Sequence, residues 1–197
     1  MLFKNNKDVP PEVAAAGLGN WYSKLDDRDR VRLGRYLGSA DTSSAAAFTI
    51  SVMDAAAADE NHGFAVTVGE LSDTLRLSDL QRYDVNERLI VAYFNTQRYD
   101  ECLSACEKGL QMFSKHRKEI VRQAGGEMPA EMMCRNYKVN VLVGVMYDYD
   151  EGDRALEEFH GMGLIDEREL EYRKNGNRIF RLQKTFDGIY AVRYKDE

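Results

Sequence analysis

Cysteine is scarce in this 197-residue chain: Cys102, Cys106 and Cys134 are the whole complement. An odd and small number excludes a disulfide scaffold and leaves reduced thiols as the simplest reading. Structural zinc normally wants four ligands, and no paired Cys or His lies near these three at a matching spacing. Cys102 and Cys106, four apart on an expected helix, are therefore read as small, rather apolar packing residues, and no metal site is assigned. Long apolar runs are missing too. Nothing approaches the roughly 20 residues that span a bilayer, and residues 1–10 form a polar leader with lysines but no apolar core of signal-peptide length. An excess of base is also lacking, since 27 Lys and Arg stand against 33 Asp and Glu, for a formal charge of -6. That balance argues against non-specific binding to nucleic acid or anionic membrane over the whole surface. The expected location is the cytoplasm.

Catalytic signatures are equally thin. His62, His116 and His160 are far apart, and none belongs to an HExxH zinc motif. There is no GxSxG elbow and no GxxxxGK[ST] phosphate loop, and the Gly-Leu-Gly at Gly17 to Gly19 lacks the third glycine and preceding strand of a dinucleotide fingerprint. Asp148, Asp150, Glu151 and Asp153 invite a calcium reading, but Gly152 sits where an oxygen ligand is needed, Asp153 takes the glycine position and Phe159 replaces the bidentate Glu. A helix start complementing the dipole explains the same acids better. No nucleophile or general base emerges, so no enzyme and no cofactor is expected.

What is present is apolar residues at helical spacing. Hydrophobic residues make up 44% of the chain and charged residues 30%, with eleven tyrosines and eight phenylalanines to fill an interior. Pro10 and Pro11 before Glu12 predict a first helix running to about Leu25. Asp26 is a plausible N-cap for a second, over Asp27 to Leu37, with Val31, Leu33, Tyr36 and Leu37 inward, Arg28, Arg32 and Arg35 outward, and Gly38 as the stop. Asp41 to Ser44 can cap a third through Phe48, Val52 and Met53 to Ala58. Residues 64–75 fit either an alternating strand or a helix through Val68, Leu71 and Leu75, and the helix is favoured because no partner strand is evident.

The clearest pattern spans Val85 to Phe113: Leu89 and Tyr93, a break near Gln97, then Tyr99, Cys102, Leu103, Cys106, Leu110 and Phe113 describe two amphipathic helices joined by a tight turn. Bases from Lys115 to Arg122 suit the end of the second, and Gly125 with Gly126 stops it. Pro129 opens a further helix through Tyr137, Val141, Leu142, Val145 and Met146. Its partner runs from Glu151 to Met162 with Ala155, Leu156 and Phe159 inward. Finally Leu182, Phe186, Ile189 and Arg193 step by three or four, predicting a C-terminal helix that caps the stack with that apolar face.

The segment YFNTQRYDECLSACEKGL, Tyr93 to Leu110, resembles the core of a tetratricopeptide repeat, with Leu89, Tyr93, Cys102, Cys106 and Gly109 at the corresponding relative spacings. A second hairpin resembles it through Leu142, Met146, Ala155, Phe159 and Met162, and a third near the N-terminus through Leu18, Gly19, Tyr22 and Val31. The pattern departs in period and in composition: Leu89 and Leu142 lie 53 residues apart where about 34 is usual, Cys and Met stand where Ala and Phe are expected, and the inter-repeat proline is missing. The resemblance implies an all-α stack of antiparallel helical hairpins over residues 11–197, acting as a non-enzymatic adaptor or regulator that binds a peptide or partner protein in a groove. Asn86 and Asn95, with Asn136 and Asn140 as their later counterparts, are the polar residues that it would point toward that groove.

A rival reading concerns residues 154–182, which also resemble the end of a winged helix-turn-helix. Leu170 and Tyr172 would pair across the turn Asn175-Gly176 with Ile179 and Phe180 on a return strand. Arg173, Lys174, Arg178, Arg181 and Lys184 would then contact nucleic-acid phosphates. Glu151, Asp153, Glu157 and Glu158 on the would-be recognition helix oppose this, because they would meet the phosphates' own charge.

Overall fold

The computed structural model describes residues 9–193, with side chains through residue 186, and no strand occurs among them. Three short helices, α1 (Pro11–Ala15), α2 (Gly19–Tyr22) and α3 (Asp27–Gly34), precede α4 (Ala45–Ala58) and α5 (His62–Leu71). After these come α6 (Asp79–Asn95), α7 (Tyr99–Gln123), α8 (Met133–Val139) continued by a π-helical turn (Asn140–Val145), α9 (Tyr149–Gly161) and α10 (Glu167–Arg193). The ambiguous stretch after His62 is thus a helix, and the pair predicted around Gln97 is α6 with α7.

Local chemistry sets most of these boundaries. Asp26 accepts from the Asp29 amide at 2.7 Å and Ser44 from Ala47 at 3.1 Å, each satisfying an N–H that has no partner inside its helix. At α6 the Ser78 hydroxyl takes the Gln81 amide while the Gln81 side chain takes the Ser78 amide, a reciprocal capping box. The C-terminal ends share one device. Glu60, Gln97 and Gly163 adopt φ of 56°, 60° and 66°. The next amide then reaches back five residues: Asn61 to the Ala56 carbonyl, Arg98 to Tyr93 and Leu164 to Phe159, at 2.8 to 2.9 Å. This is a Schellman cap, and it folds the chain back sharply after α4, α6 and α9.

Consecutive helices from α4 to α10 pack as neighbours, and the alternate helices α4, α6 and α8 also pack on one another. Among the described residues α5 and α7 make no comparable contact, so α4, α6 and α8 form one continuous layer. Glycine sits where the second helix of a pair presses on its surroundings. A Cβ on Gly69 of α5 would lie 2.5 Å from Leu89 Cδ2 and 2.8 Å from Met53 Cε, and one on Gly109 of α7 would lie 2.7 Å from Cys134 Cβ. A Cβ on Gly152 of α9 would strike Val143. These approaches let neighbouring backbones come close enough to interlock. One apolar core then runs from Val13, Trp21 and Leu33 through Phe48, Phe64, Ile90 and Phe113 to Leu156, Phe159 and Leu170.

Several expectations need correction. The first helix does not reach Leu25: Gly17 turns the chain with φ 73°, and α1 and α2 are separate short pieces. Val31, expected to face inward, is 69% exposed, and α3 ends at Gly34, short of the expected Leu37. Pro129 lies in the connection after α7, and the next helix begins only at Met133. Residues 170–182 are helical throughout; the wing is absent, because Leu170 and Asn177 bury one face of a helix against α9. α10 does cover α9, though not with the predicted face. Leu182 and Phe186 are 59% and 58% exposed, and Ile189 and Arg193 lie outside the described side chains. Most of the polar leader, residues 1–8, lies outside the described residues as well.

Candidate functional site

The layer formed by α4, α6 and α8 carries a cavity of about 460 Å³. Its floor is apolar, from Met53 and Ala57 of α4, Val91 and Ala92 of α6, Ile120 of α7 and Met133 of α8. Its rim is acidic: Asp54, Asp84, Glu87 and Glu131 face a single base, Arg88. Arg88 is already engaged, donating through Nε and Nη2 to the two Asp54 oxygens at 2.7 and 3.0 Å and through Nη1 to the Asp84 carbonyl at 3.0 Å. That fork ties α4 to α6 and neutralises Asp54.

Glu87 serves the scaffold. Its carboxylate accepts from the Met133 amide at 2.6 Å and the Cys134 amide at 3.1 Å, satisfying the start of α8, whose preceding residue Met132 offers no capping side chain. Burial pushes the Glu87 carboxyl up from its ordinary value, and these hydrogen bonds pull against that shift. Behind it the Tyr83 phenol and the Cys134 thiol are both pushed well up, by burial first and then by the Glu87 charge. A thiol held protonated is a poor nucleophile, and Cys134 is buried in the core. Asp84 differs, because no donor among the described residues reaches its carboxylate, and burial raises its pKa against the opposing pull of Arg88. The cavity therefore joins an apolar floor to a half-buried carboxylate that no hydrogen-bond donor among the described residues reaches.

The asparagines do not converge on this cavity. Asn86 is 2% exposed and turns into the α6–α7 interface, where its Nδ2 donates to the Ala105 carbonyl at 2.9 Å and its Oδ1 has no partner. Asn95 is exposed and donates to its own helix at Val91, and Asn136 accepts from Arg135 at 3.2 Å. Asn140 lines a separate groove of about 610 Å³ between the π-helical turn and α10, beside Phe94, Val143, Tyr147, Phe180 and Lys184. Sequence reasoning chose polar residues on the first helix of each pair and missed the acids Asp54, Asp84 and Glu131. The available signal was Asp84 and Arg88, one turn apart on α6.

The basic set is spent within the molecule. Arg173 pairs with Glu169 at 2.7 Å, Lys174 with Glu157 at 2.7 Å and Arg181 with Asp150 at 2.8 Å. Arg178 donates to Asn175 at 3.1 Å, and the Lys184 ammonium lies 3.9 Å from the centre of the Tyr147 ring. The acids of the failed calcium loop find uses too: Asp148 caps α9 at the Glu151 amide, 3.0 Å away, and Asp153 accepts from Asn177 at 2.8 Å. Among the described residues no group of three or more His, Cys, Asp or Glu could hold a metal ion, and no helix is long and apolar enough to cross a membrane. No protein-family model matches the chain, and comparisons with curated proteins and with solved structures return no match.

Proposed function

We propose that this chain is a non-enzymatic binding module in which the α4–α6–α8 layer is the inner face of a tetratricopeptide-like stack, and that the cavity on that layer receives a segment of a partner protein. The observation that carries the reading is the coincidence of that cavity with the layer of alternate helices. In a stack of hairpins the first helices share one face, and a ligand lying there touches several repeats at once. The cavity chemistry narrows the partner to a peptide that places Lys or Arg next to a bulky apolar side chain. The apolar body fills the floor over Met53, Val91 and Met133, and the cation reaches Asp84.

A phosphate backbone suits this face poorly, since its charge would meet the acid rim, and Arg173, Lys174 and Arg181 of α10 already pair with the chain's own acids. The test is selection of displayed peptides against the whole chain. Enriched peptides are expected to pair a base with an apolar anchor, to bind more weakly as salt rises, and to lose about tenfold or more in affinity to Asp84→Lys. Peptides that bind that variant as well as the parent, or a selection that enriches none, would overturn the reading.

A further inference from the structure

Helix α10 leaves a second surface uncovered. Its Asn177 is buried at 6% exposure and holds Asp153, and Leu170 is buried beside it, so this side faces α9. At about 100° per residue, Tyr172, Asn175, Ile179, Leu182 and Phe186 fall roughly 140–220° around the helix from Asn177, on the side pointing away from the body. The four large side chains among them are 58 to 80% exposed. Their spacing of three, four, three and four is the heptad alternation, and the sequence continues it at Ile189.

We infer that this face is a self-association seam, along which α10 pairs in parallel with α10 of a second copy. Three observations select that occupant. The heptad alternation is what a second α-helix requires for knobs-into-holes packing, whereas an extended peptide imposes no such period. Ile179 at the first seam position of its heptad and Leu182 at the fourth is the arrangement that favours two parallel strands. Asn175 interrupts the apolar seam, and in a parallel, in-register pair it meets its own copy, where each amide supplies the other's donor and acceptor. Its Oδ1 is now held by Arg178 at 3.1 Å, which leaves the amide NH2 to reach across.

The area is adequate for a modest dimer. With about 150–250 Å² on a large aromatic side chain, the four exposed residues present about 500 Å² per copy, so a pair buries on the order of 1,000 Å², at the lower limit of specific interfaces. The cavity on α4, α6 and α8 lies elsewhere, so peptide binding and pairing are separate properties.

Sedimentation equilibrium of the whole chain from about 1 to 300 µM reads the state directly. The inference expects a reversible dimer, a monomer for Ile179→Asp with Leu182→Asp, and an unchanged dimer for Asp84→Lys. Because both seam side chains are exposed, an unaltered far-UV spectrum, and a melting temperature matching the parent's at the dilute end of the range where both are monomers, distinguish a broken seam from a broken fold. The three native thiols are buried, so Asn175→Cys is expected to give one covalent dimer under mild oxidation. A parent that stays monomeric through the whole range, a dimer indifferent to the two aspartates, or failure of Asn175→Cys to cross-link would overturn it.

Discussion

Replacing Gly109 with Ala puts the packing of α7 against α8 to a quantitative test. The new methyl would sit 2.7 Å from Cys134 Cβ, 3.0 Å from Asn86 Nδ2 and 3.4 Å from Cys134 Sγ. The first of these neighbours is the root of a side chain and cannot swing away, so the helices must separate by several tenths of an ångström. Overpacking of this kind costs about 1–3 kcal/mol, and disturbing the Asn86 bond to Ala105 adds about 1 kcal/mol. Removing glycine from a helix interior returns about 1 kcal/mol. The net is a loss of about 2 kcal/mol, or a fall of about 4–8 °C in melting temperature for a chain of this size. Gly176→Ala in α10 is the control, because a Cβ there meets nothing within 4 Å. It should raise the melting temperature by about 2–4 °C. Thermal melts by circular dichroism of the two variants beside the parent should therefore move in opposite directions. If Gly109→Ala is neutral or stabilising, α7 does not approach α8 at that point and the close-packed crossing is wrong.

Two further outcomes follow from the turns and the buried acids. Gln97 holds φ 60°, a left-handed conformation that costs a residue with a Cβ about 1–2 kcal/mol. Gln97→Gly should therefore stabilise by up to about 1 kcal/mol after the extra unfolded-state entropy of glycine is subtracted, read as a higher urea midpoint with an unchanged slope. Asp84 has a pKa raised by burial above 3.8, so the folded state binds its proton more tightly than the unfolded chain does. That contribution is fully present below about pH 3.8 and is lost as pH rises through the folded value. Asp84→Asn should then raise the melting temperature at pH 7, by an amount that shrinks toward zero as pH falls below 4. A gain independent of pH would mean that the carboxylate is not desolvated.

Much of the fold was legible because the strongest patterns were local and periodic. Leu89, Tyr93, Cys102, Cys106 and Phe113 could only share a core if Gln97 reversed the chain, and Asp26 and Ser44 mark helix starts by chemistry that needs no tertiary context. The N-terminal third read poorly, since Gly17 breaks a run of good helix formers by a backbone choice that periodicity does not register. α10 misled for a different reason. Two faces are superposed on it, a buried one through Leu170 and the polar Asn177 and an apolar one through Ile179, Leu182 and Phe186, and the apolar face was assigned to the core although the body covers the other. Of the candidate cavity only the one-turn spacing of Asp84 and Arg88 was legible, because Asp54, Asp84 and Glu131 converge only when α4, α6 and the approach to α8 lie side by side.

The most direct test of the binding face uses a photo-reactive benzoylphenylalanine placed at one position at a time, with a peptide from the selection experiment as the ligand. Val91 lies on the cavity floor, whereas Lys118 is exposed on α7 and does not line that cavity. The account predicts efficient cross-linking from position 91 that excess unlabelled peptide abolishes, and none above background from position 118. Equal cross-linking from both, or capture from position 118 alone, would contradict it.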